Sequence, residues 1–312
     1  MPMIQIFKTN HQTLESLDRI TPNSWINMTD PTEEEIDSIS KALSIERDFI
    51  TDALDKEERS RFEMEEKTAL ILVNTPFEEN QEGRIQYVTL PLAIILTEEN
   101  IVTVSLKETP VLKNFHFPAS VDFSTSKRNR FILKILYHNA EIYLSYLKQV
   151  DKNSTEIETR LHKSMKNKEL IQMLRLEKSL VYFSTSLKAN ETVLEKLLRM
   201  PFIKAYPEDE DLLEDVIIEN NQAIEMCQIY TDILIGTMDA FASVISNNLN
   251  IVMKLLTSIT ILLTIPTLIA SLWGMNVPVP FQYNPYGFWI VLGISVGAAV
   301  IGLIYMFRKK ML

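Results

Sequence analysis

The sequence predicts an α+β protein: an N-terminal α/β domain with a mixed sheet, followed by a long stalk helix that runs into the first of two C-terminal membrane helices. Three observations predict it. Charge is segregated along the 312 residues, because acids and bases mingle as far as Asn250 while Asn250 to Leu312 contains no Asp or Glu at all. Between Pro207 and Pro266 there is no proline and a single glycine, Gly236, while apolar residues recur at helical spacing. Segments of strand composition are confined to the residues before Lys127.

The tail carries only Lys254, Arg308, Lys309 and Lys310 as ions, and setting these four against the net charge of −10 leaves −14 on the rest. An acidic body argues against nucleic-acid binding. The single Cys227 cannot close an intrachain disulfide. His11, His116, His138 and His162 lack a second ligand at zinc spacing. No P-loop, nucleophile elbow or metalloprotease motif is present, so the reading is of a protein that is not an enzyme. Met1 to Asn10 holds no apolar run of signal-peptide length, so the large body is expected to stay in the compartment where it is made.

Leu255 to Trp273 is uncharged and apolar over about 20 residues, the length that crosses a bilayer, and Phe288 to Phe307 repeats this. The intervening Gly274 to Gly287 contains three prolines and two glycines, which forbid a continuous helix. A tight helical hairpin results. Lys254 before the first span and Arg308 to Lys310 after the second place both ends, and hence both termini, on the cytoplasmic side. The neutral loop lies outside, flanked by the interfacial rings of Trp273, Tyr283, Tyr286, Phe288 and Trp289.

Steps of three and four from Asn250 pass through Met253, Thr257, Thr260, Thr264, Thr267 and Ser271, so every hydroxyl of the span except Ser258 lies on one stripe. Such hydroxyls can bond their own i−4 carbonyls or face a neighbouring helix. A stripe that runs the length of the span more economically lines water. One helix cannot enclose water, so this reading requires a homo-oligomer with the first span inside and the second outside. Gly293-xxx-Gly297 on the second span fits close helix packing.

In the body, strands are expected at Gln5–Lys8, Trp25–Met28, Phe62–Met64, Ala69–Asn74, Ile85–Thr89, Leu92–Leu96 and Ile101–Ser105, with a hairpin turn at Thr97 to Asn100. Thr32 and Glu35 are spaced as a capping box for an intervening helix. Lys127 to about Met165 and Asn167 to Met200 read as amphipathic helices that can pack beside the stalk. Pro207-Glu208-Asp209-Glu210-Asp211 starts the stalk, with carboxylates at the positive end of the helix dipole. From about Asp209 to Trp273 that helix is roughly 100 Å long. The expected segments are 1–126 (α/β domain), 127–206 (flanking helices), 207–254 (stalk), 255–273 (first span), 274–287 (outer loop), 288–307 (second span) and 308–312 (basic tail).

Gly274-Met275-Asn276, placed directly after an apolar helix and about thirty-five residues ahead of a basic C-terminus, resembles the CorA family of magnesium transporters. The approach to the first span, Asn247-Asn248-Leu249-Asn250-Ile251-Val252-Met253-Lys254, is similar to the family, as is Trp25-Ile26-Asn27-Met28-Thr29-Asp30-Pro31. The resemblance implies a funnel-shaped homopentamer in the cytoplasmic membrane that moves hydrated Mg2+, with Co2+ or Ni2+ as further cargo. It implies that Gly274, Met275 and Asn276 form the selectivity filter, the Asn276 amides holding the ion through its water. Mg2+ sheds its waters reluctantly, so outer-sphere binding suits it. Asn250 and Met253 become the inner constriction, with Leu256 as a hydrophobic gate. Regulatory Mg2+ would sit between cytoplasmic domains near Asp215, with Asp209, Asp211 and Glu214 nearby. Those acids can equally be helix-starting residues facing solvent. Lys254, Arg308, Lys309 and Lys310 would form a basic collar at the inner mouth, or serve topology and lipid contact alone.

The chain departs from the family pattern in three ways. Trp273 stands where tyrosine is usual, Pro266 is shifted by one residue, which leaves the register near Thr264 and Ile265 open, and the outer loop has no carboxylate. Two other functions compete: a Zn2+ transporter like ZntB, and a membrane-anchored sensor or scaffold whose hairpin only tethers the body. The scaffold alone predicts that Thr264→Val and Asn276→Ala leave function intact.

Overall fold

Period-two alternation organises the N-terminal sheet in the computed structural model, which describes residues 4–10, 13–81, 84–113, 115, 123–164, 167–204 and 206–309. Of the residues named above, Met1, His11, His116, Met165, Lys310 and Leu312 lie outside the described residues, as does the side chain of His162. Seven strands, β1 (Ile4–Asn10), β2 (Thr13–Leu17), β3 (Trp25–Thr29), β4 (Arg61–Glu65), β5 (Thr68–Gln81), β6 (Arg84–Leu96) and β7 (Ile101–Ser105), make one sheet in the order β2-β1-β3-β7-β6-β5-β4. Among the described residues only β3 and β7 pair in parallel, so the sheet is mixed.

Along β3, Trp25 enters one core and Ile26 and Met28 the opposite one, as a pleated strand requires. The second face is covered by α1 (Glu33–Leu43) and α2 (Arg47–Thr51), through Ile36, Ile39, Phe49 and Ile50. A short 3-10 turn at Asp52–Leu54 completes that layer. The Thr32–Glu35 capping box forms in both directions, and Thr97 N–H donates to Asn100 O at 2.9 Å to close the expected hairpin. The first face is covered by the short α3 (Pro110–Lys113), then α4 (Arg128–Ser164), α5 (Asn167–Leu197), the short α6 (Pro201–Lys204) and the start of α7 (Pro207–Trp273). Phe131, Leu133, Val193, Leu197, Leu213 and Val216 meet Trp25, Ile71 and Leu92 there.

Two differences from the expected strands have clear causes. The edge strand β2 is unexpected because Thr13–Leu17 is mostly exposed and shows no apolar alternation. The segments Ile85–Thr89 and Leu92–Leu96 are one strand, β6, although Pro91 stands between them. Pro91 faces Asn74 and Pro76 of β5 faces Thr89, yet the register runs unbroken from Ala69 opposite Leu96 to Gln81 opposite Arg84, because both prolines fall at positions that owe no bond to the partner strand. On its other side Asn74 lies beyond the last pairing with β4, Arg61 opposite Leu72, and a helix side chain takes up its backbone: Asn190 of α5 accepts from Asn74 N–H at 2.9 Å and donates through Nδ2 to Asn74 O at 2.9 Å. Asn139 and Tyr143 of α4 donate to the same carbonyl at 3.2 and 3.1 Å. Strand β5 is thereby tied to two helices, and the half-buried backbone groups of Asn74 are satisfied.

The chain divides into two compact units, Met1–Thr237 and Met238–Leu312, and α7 passes from the first into the second. Pro207 occupies its first position, where a missing N–H costs nothing, and Glu208, Asp209 and Glu210 occupy the first turn. The second unit is the rest of α7, a loop, and α8 (Gly287–Arg308).

Candidate functional site

Within the second unit, α7 has two unlike faces. Ser258 is buried and Leu262, Ile265, Pro266, Ile269 and Trp273 are half-buried, at steps of three and four. This is the face met by α8, whose Gly287, Ser295 and Met306 are buried. At Gly302 of α8 an added Cβ would stand 3.2 Å from Ile265 Cδ1, so glycine permits a close approach there. Added Cβ atoms at Gly293 and Gly297 would meet nothing within 4 Å. The expected Gly-xxx-Gly packing is therefore not the contact within the hairpin; Gly302 makes it.

Asn250, Met253, Thr257, Thr260, Thr264, Thr267 and Ser271 are all exposed. At 100° per residue their stripe lies about 150° around the helix from the face that α8 covers. Leu256, 58% exposed, lies near the same open side. Three of the hydroxyls bond back along the helix: Thr260 Oγ1 donates to Leu256 O at 2.9 Å, Thr264 Oγ1 to Thr260 O at 2.7 Å, and Thr267 Oγ1 to Leu263 O at 2.8 Å. Back-bonding and water-lining are thus compatible. Each hydroxyl spends its only proton on the helix and turns acceptor lone pairs outward.

Among the described residues two helices are apolar and long enough to span a bilayer, α7 over its C-terminal part and α8. Leu263, Ile301 and Phe307 are among many large apolar side chains left exposed. An exposed apolar surface of this extent needs lipid or a protein partner to cover it. Tyr283, Tyr286, Phe288 and Trp289 ring the loop end of the hairpin in exposed positions, as interfacial aromatics do.

The stripe ends at Gly274-Met275-Asn276. Gly274 N–H still donates to Ala270 O at 2.9 Å, so the helix hands the chain directly to this tripeptide. Met275 and Asn276 are exposed, and the Asn276 amide bonds to none of the described residues. Beyond it the loop closes on itself: Trp273 Nε1 donates to Pro280 O at 3.0 Å, Tyr286 N–H to Asn284 Oδ1 at 2.9 Å, and Gly287 N–H to Asn284 O at 2.9 Å. At the other end of the hairpin Lys254, Arg308 and Lys309 are exposed, and Lys310 lies outside the described residues.

In the first unit the stalk acids part company. Asp209 is buried, 6% exposed, and burial pushes its carboxyl up from the ordinary aspartate value, while the nearby Arg130 and Lys127 act in the opposite sense. Asp211, Glu214 and Asp215 are exposed on α7. Among the described residues no three Asp, Glu, His or Cys side chains of one chain converge to hold a metal ion. Sequence reasoning missed the closure of the loop by Trp273, Pro280 and Gly287. The signal was an indole in place of the phenol before Gly-Met-Asn, but the partner it finds depends on how the loop folds back.

An α/β body whose last helix continues into an apolar C-terminal part, paired with a second apolar helix, defines a membrane protein of the two-helix hairpin class. The model of the CorA-like Mg2+ transporter proteins matches residues 22–309, and the chain belongs to that family. The cobalt/magnesium transport protein CorA of Methanocaldococcus jannaschii is 31% identical over 292 residues, which cover 92% of this chain and 90% of that one. The complete structure of the CorA magnesium transporter from the same organism superposes with a TM-score of 0.84 at 26% identity, covering 99% of this chain and 98% of that chain. The cytoplasmic domain of ZntB from Vibrio parahaemolyticus, at 11% identity and a TM-score of 0.58, covers 80% of this chain and 98% of that one, and shares the fold alone.

Proposed function

We propose that this chain is the subunit of a homopentameric channel in the cytoplasmic membrane that conducts hydrated Mg2+, and Co2+ as a further cargo, with both termini in the cytoplasm. The observation that carries the reading is the division of α7: α8 covers one face, and the opposite face is an open stripe of hydroxyl oxygens leading to Gly274-Met275-Asn276. Water bound to a cation points its protons outward. A lining that offers acceptors and few free donors therefore suits an ion that travels with its hydration shell. Several α7 helices around one axis supply such a lining, and the α8 helices then face lipid.

In this reading Asn276 from each subunit holds the hydrated ion at the outer mouth through its amide oxygen, while Gly274 and Met275 shape the turn. Asn250, Met253 and Leu256 narrow the inner end. A neutral carbonyl ring binds loosely enough to release the ion inward. Lys254, Arg308, Lys309 and Lys310 form the collar at the inner mouth. Regulatory Mg2+ is held between subunits by Asp215 with Asp211 and Glu214. Asp209 stands apart because it is buried beside Arg130 and Lys127, surroundings that disfavour a second cation.

The family and the M. jannaschii relative, named for cobalt and magnesium transport, favour Mg2+ over the Zn2+ alternative. The test is Mg2+ uptake by the purified protein in liposomes. Asn276→Ala abolishes uptake without changing oligomer size, and Mg2+ competes with Co2+ better than Zn2+ does. Undiminished uptake by Asn276→Ala removes the filter assignment, and uptake driven by Zn2+ in preference to Mg2+ removes the proposed cargo. Asp215→Ala weakens closure by Mg2+ on the cytoplasmic side; unchanged inhibition takes Asp215 out of the sensor.

A further inference from the structure

The outer loop must present Asn276 in one geometry although it has no regular secondary structure from Asn276 to Tyr286. Contacts and backbone geometry oppose its freedom. Trp273, the last residue of α7, turns its indole N–H onto the carbonyl of Pro280 at 3.0 Å and so closes a ring of chain with Asn276 inside it. Phe281 adopts the left-handed region with φ of 68°. Gly287, buried at the first turn of α8, lies against both: an added Cβ would stand 2.5 Å from Phe281 O and 3.4 Å from the Trp273 ring. Pro278 and Pro280, with fixed φ, stiffen the segment between Asn276 and the closing bond.

A side-chain amide that binds an ion through water gains affinity when its backbone is held before the ion arrives, because the ordering has already been done. We infer that Trp273 is a positioning residue for Asn276: its indole, bonded to Pro280 and resting on Gly287, holds the Gly-Met-Asn segment in the geometry that receives the hydrated ion. The inference rests on the reading of Asn276 as the ion-holding amide. Trp273 touches no ion. It acts by closing the loop, and Gly287 acts by leaving room for the Phe281 carbonyl and the indole.

The experiment measures the Mg2+ concentration dependence of uptake into liposomes for wild type, Trp273→Phe, Gly287→Ala, the double variant and Asn276→Ala. Trp273→Phe keeps an aromatic ring and deletes the N–H donor. Its half-saturating Mg2+ concentration is expected to rise about fivefold, the effect of one hydrogen bond, with the maximal rate and oligomer size unchanged. Gly287→Ala shifts the same parameter, and the double variant is no worse than the stronger single change because both open one clamp. A general structural role would instead lower the maximal rate or the yield of assembled protein at constant half-saturation, and that result overturns the inference. So does a wild-type curve for Trp273→Phe. If Trp273→Phe fails to assemble, Gly287→Ala decides on the same criterion. Loss of uptake in Asn276→Ala beside a normal Trp273→Phe sinks the clamp alone; normal uptake in both sinks the filter reading with it.

Discussion

Replacing Thr264 by valine tests the acceptor stripe with almost no change of shape. The hydroxyl donates to Thr260 O at 2.7 Å, and that carbonyl already belongs to the helix ladder, so its loss leaves the helix intact. What disappears is the outward oxygen, an acceptor for the water carried by a passing ion. A hydrogen bond of this kind is worth about 1 kcal/mol net, which lowers flux roughly fivefold if one bond in the ring is made at a time. Two simultaneous bonds raise that to about 30-fold. Ser295 of α8 provides the control, because its hydroxyl makes the same back-bond, to Val291 O at 2.9 Å, on the face covered by α7. Initial rates of Mg2+ entry into liposomes at subsaturating Mg2+ should fall for Thr264→Val and stay near wild type for Ser295→Ala. Equal rates for Thr264→Val and wild type, or an equal fall in both variants, refutes the reasoning that the stripe meets the ion's water.

Two further predictions concern the body. Asn190→Ala deprives Asn74 of its clamp beyond the end of β4 and leaves a half-buried N–H without a partner, so the melting temperature falls by roughly 5–10 °C, read by calorimetry. Asp209 has its carboxyl raised by burial, so the folded state holds the proton more tightly than the unfolded chain. Stability is therefore lost as pH rises from the unfolded value through the raised one, and at neutral pH the charge is a burden. Asp209→Asn should melt about 2 °C higher than wild type at pH 7, and the difference should vanish as pH falls below the ordinary aspartate range near 4. A variant that melts lower at pH 7 shows instead that the pull of Arg130 and Lys127 outweighs the burial.

Much of this architecture is legible in the sequence because long-range physics leaves local marks. The capping box at Thr32 and Glu35, the proline-free run behind Pro207 and the uncharged spans each translate directly into an element. The stripe from Asn250 to Ser271 is visible from spacing alone, and the structure adds that α8 lies on the other side. What the sequence conceals depends on partners distant along the chain. Pro91 reads as a strand break because composition does not show that its nitrogen faces away from β5 in an unbroken ladder, and Asn190 gives no sign that it will take up the backbone of Asn74. Gly293 and Gly297 read as the packing seam, yet Gly302 meets Ile265, since a motif does not reveal which face a neighbour chooses. Asp209 reads as one of a set of acids, but its turn of α7 points it into the body while Asp211, Glu214 and Asp215 stay exposed.

The central claim is that the hydroxyl stripe borders water while the opposite face of α7 lies under α8. Single cysteines at Thr264, Thr267, Leu262 and Ile269, treated with a membrane-impermeant thiol reagent in the assembled protein, test it most directly. The native Cys227 does not interfere, because it is buried, donates to Leu180 O at 3.1 Å, and has its thiol pushed up to about 11. The account predicts labelling at Thr264→Cys and Thr267→Cys, slowed by Mg2+, and protection at Leu262→Cys and Ile269→Cys. Protection at the first pair with labelling at the second contradicts it.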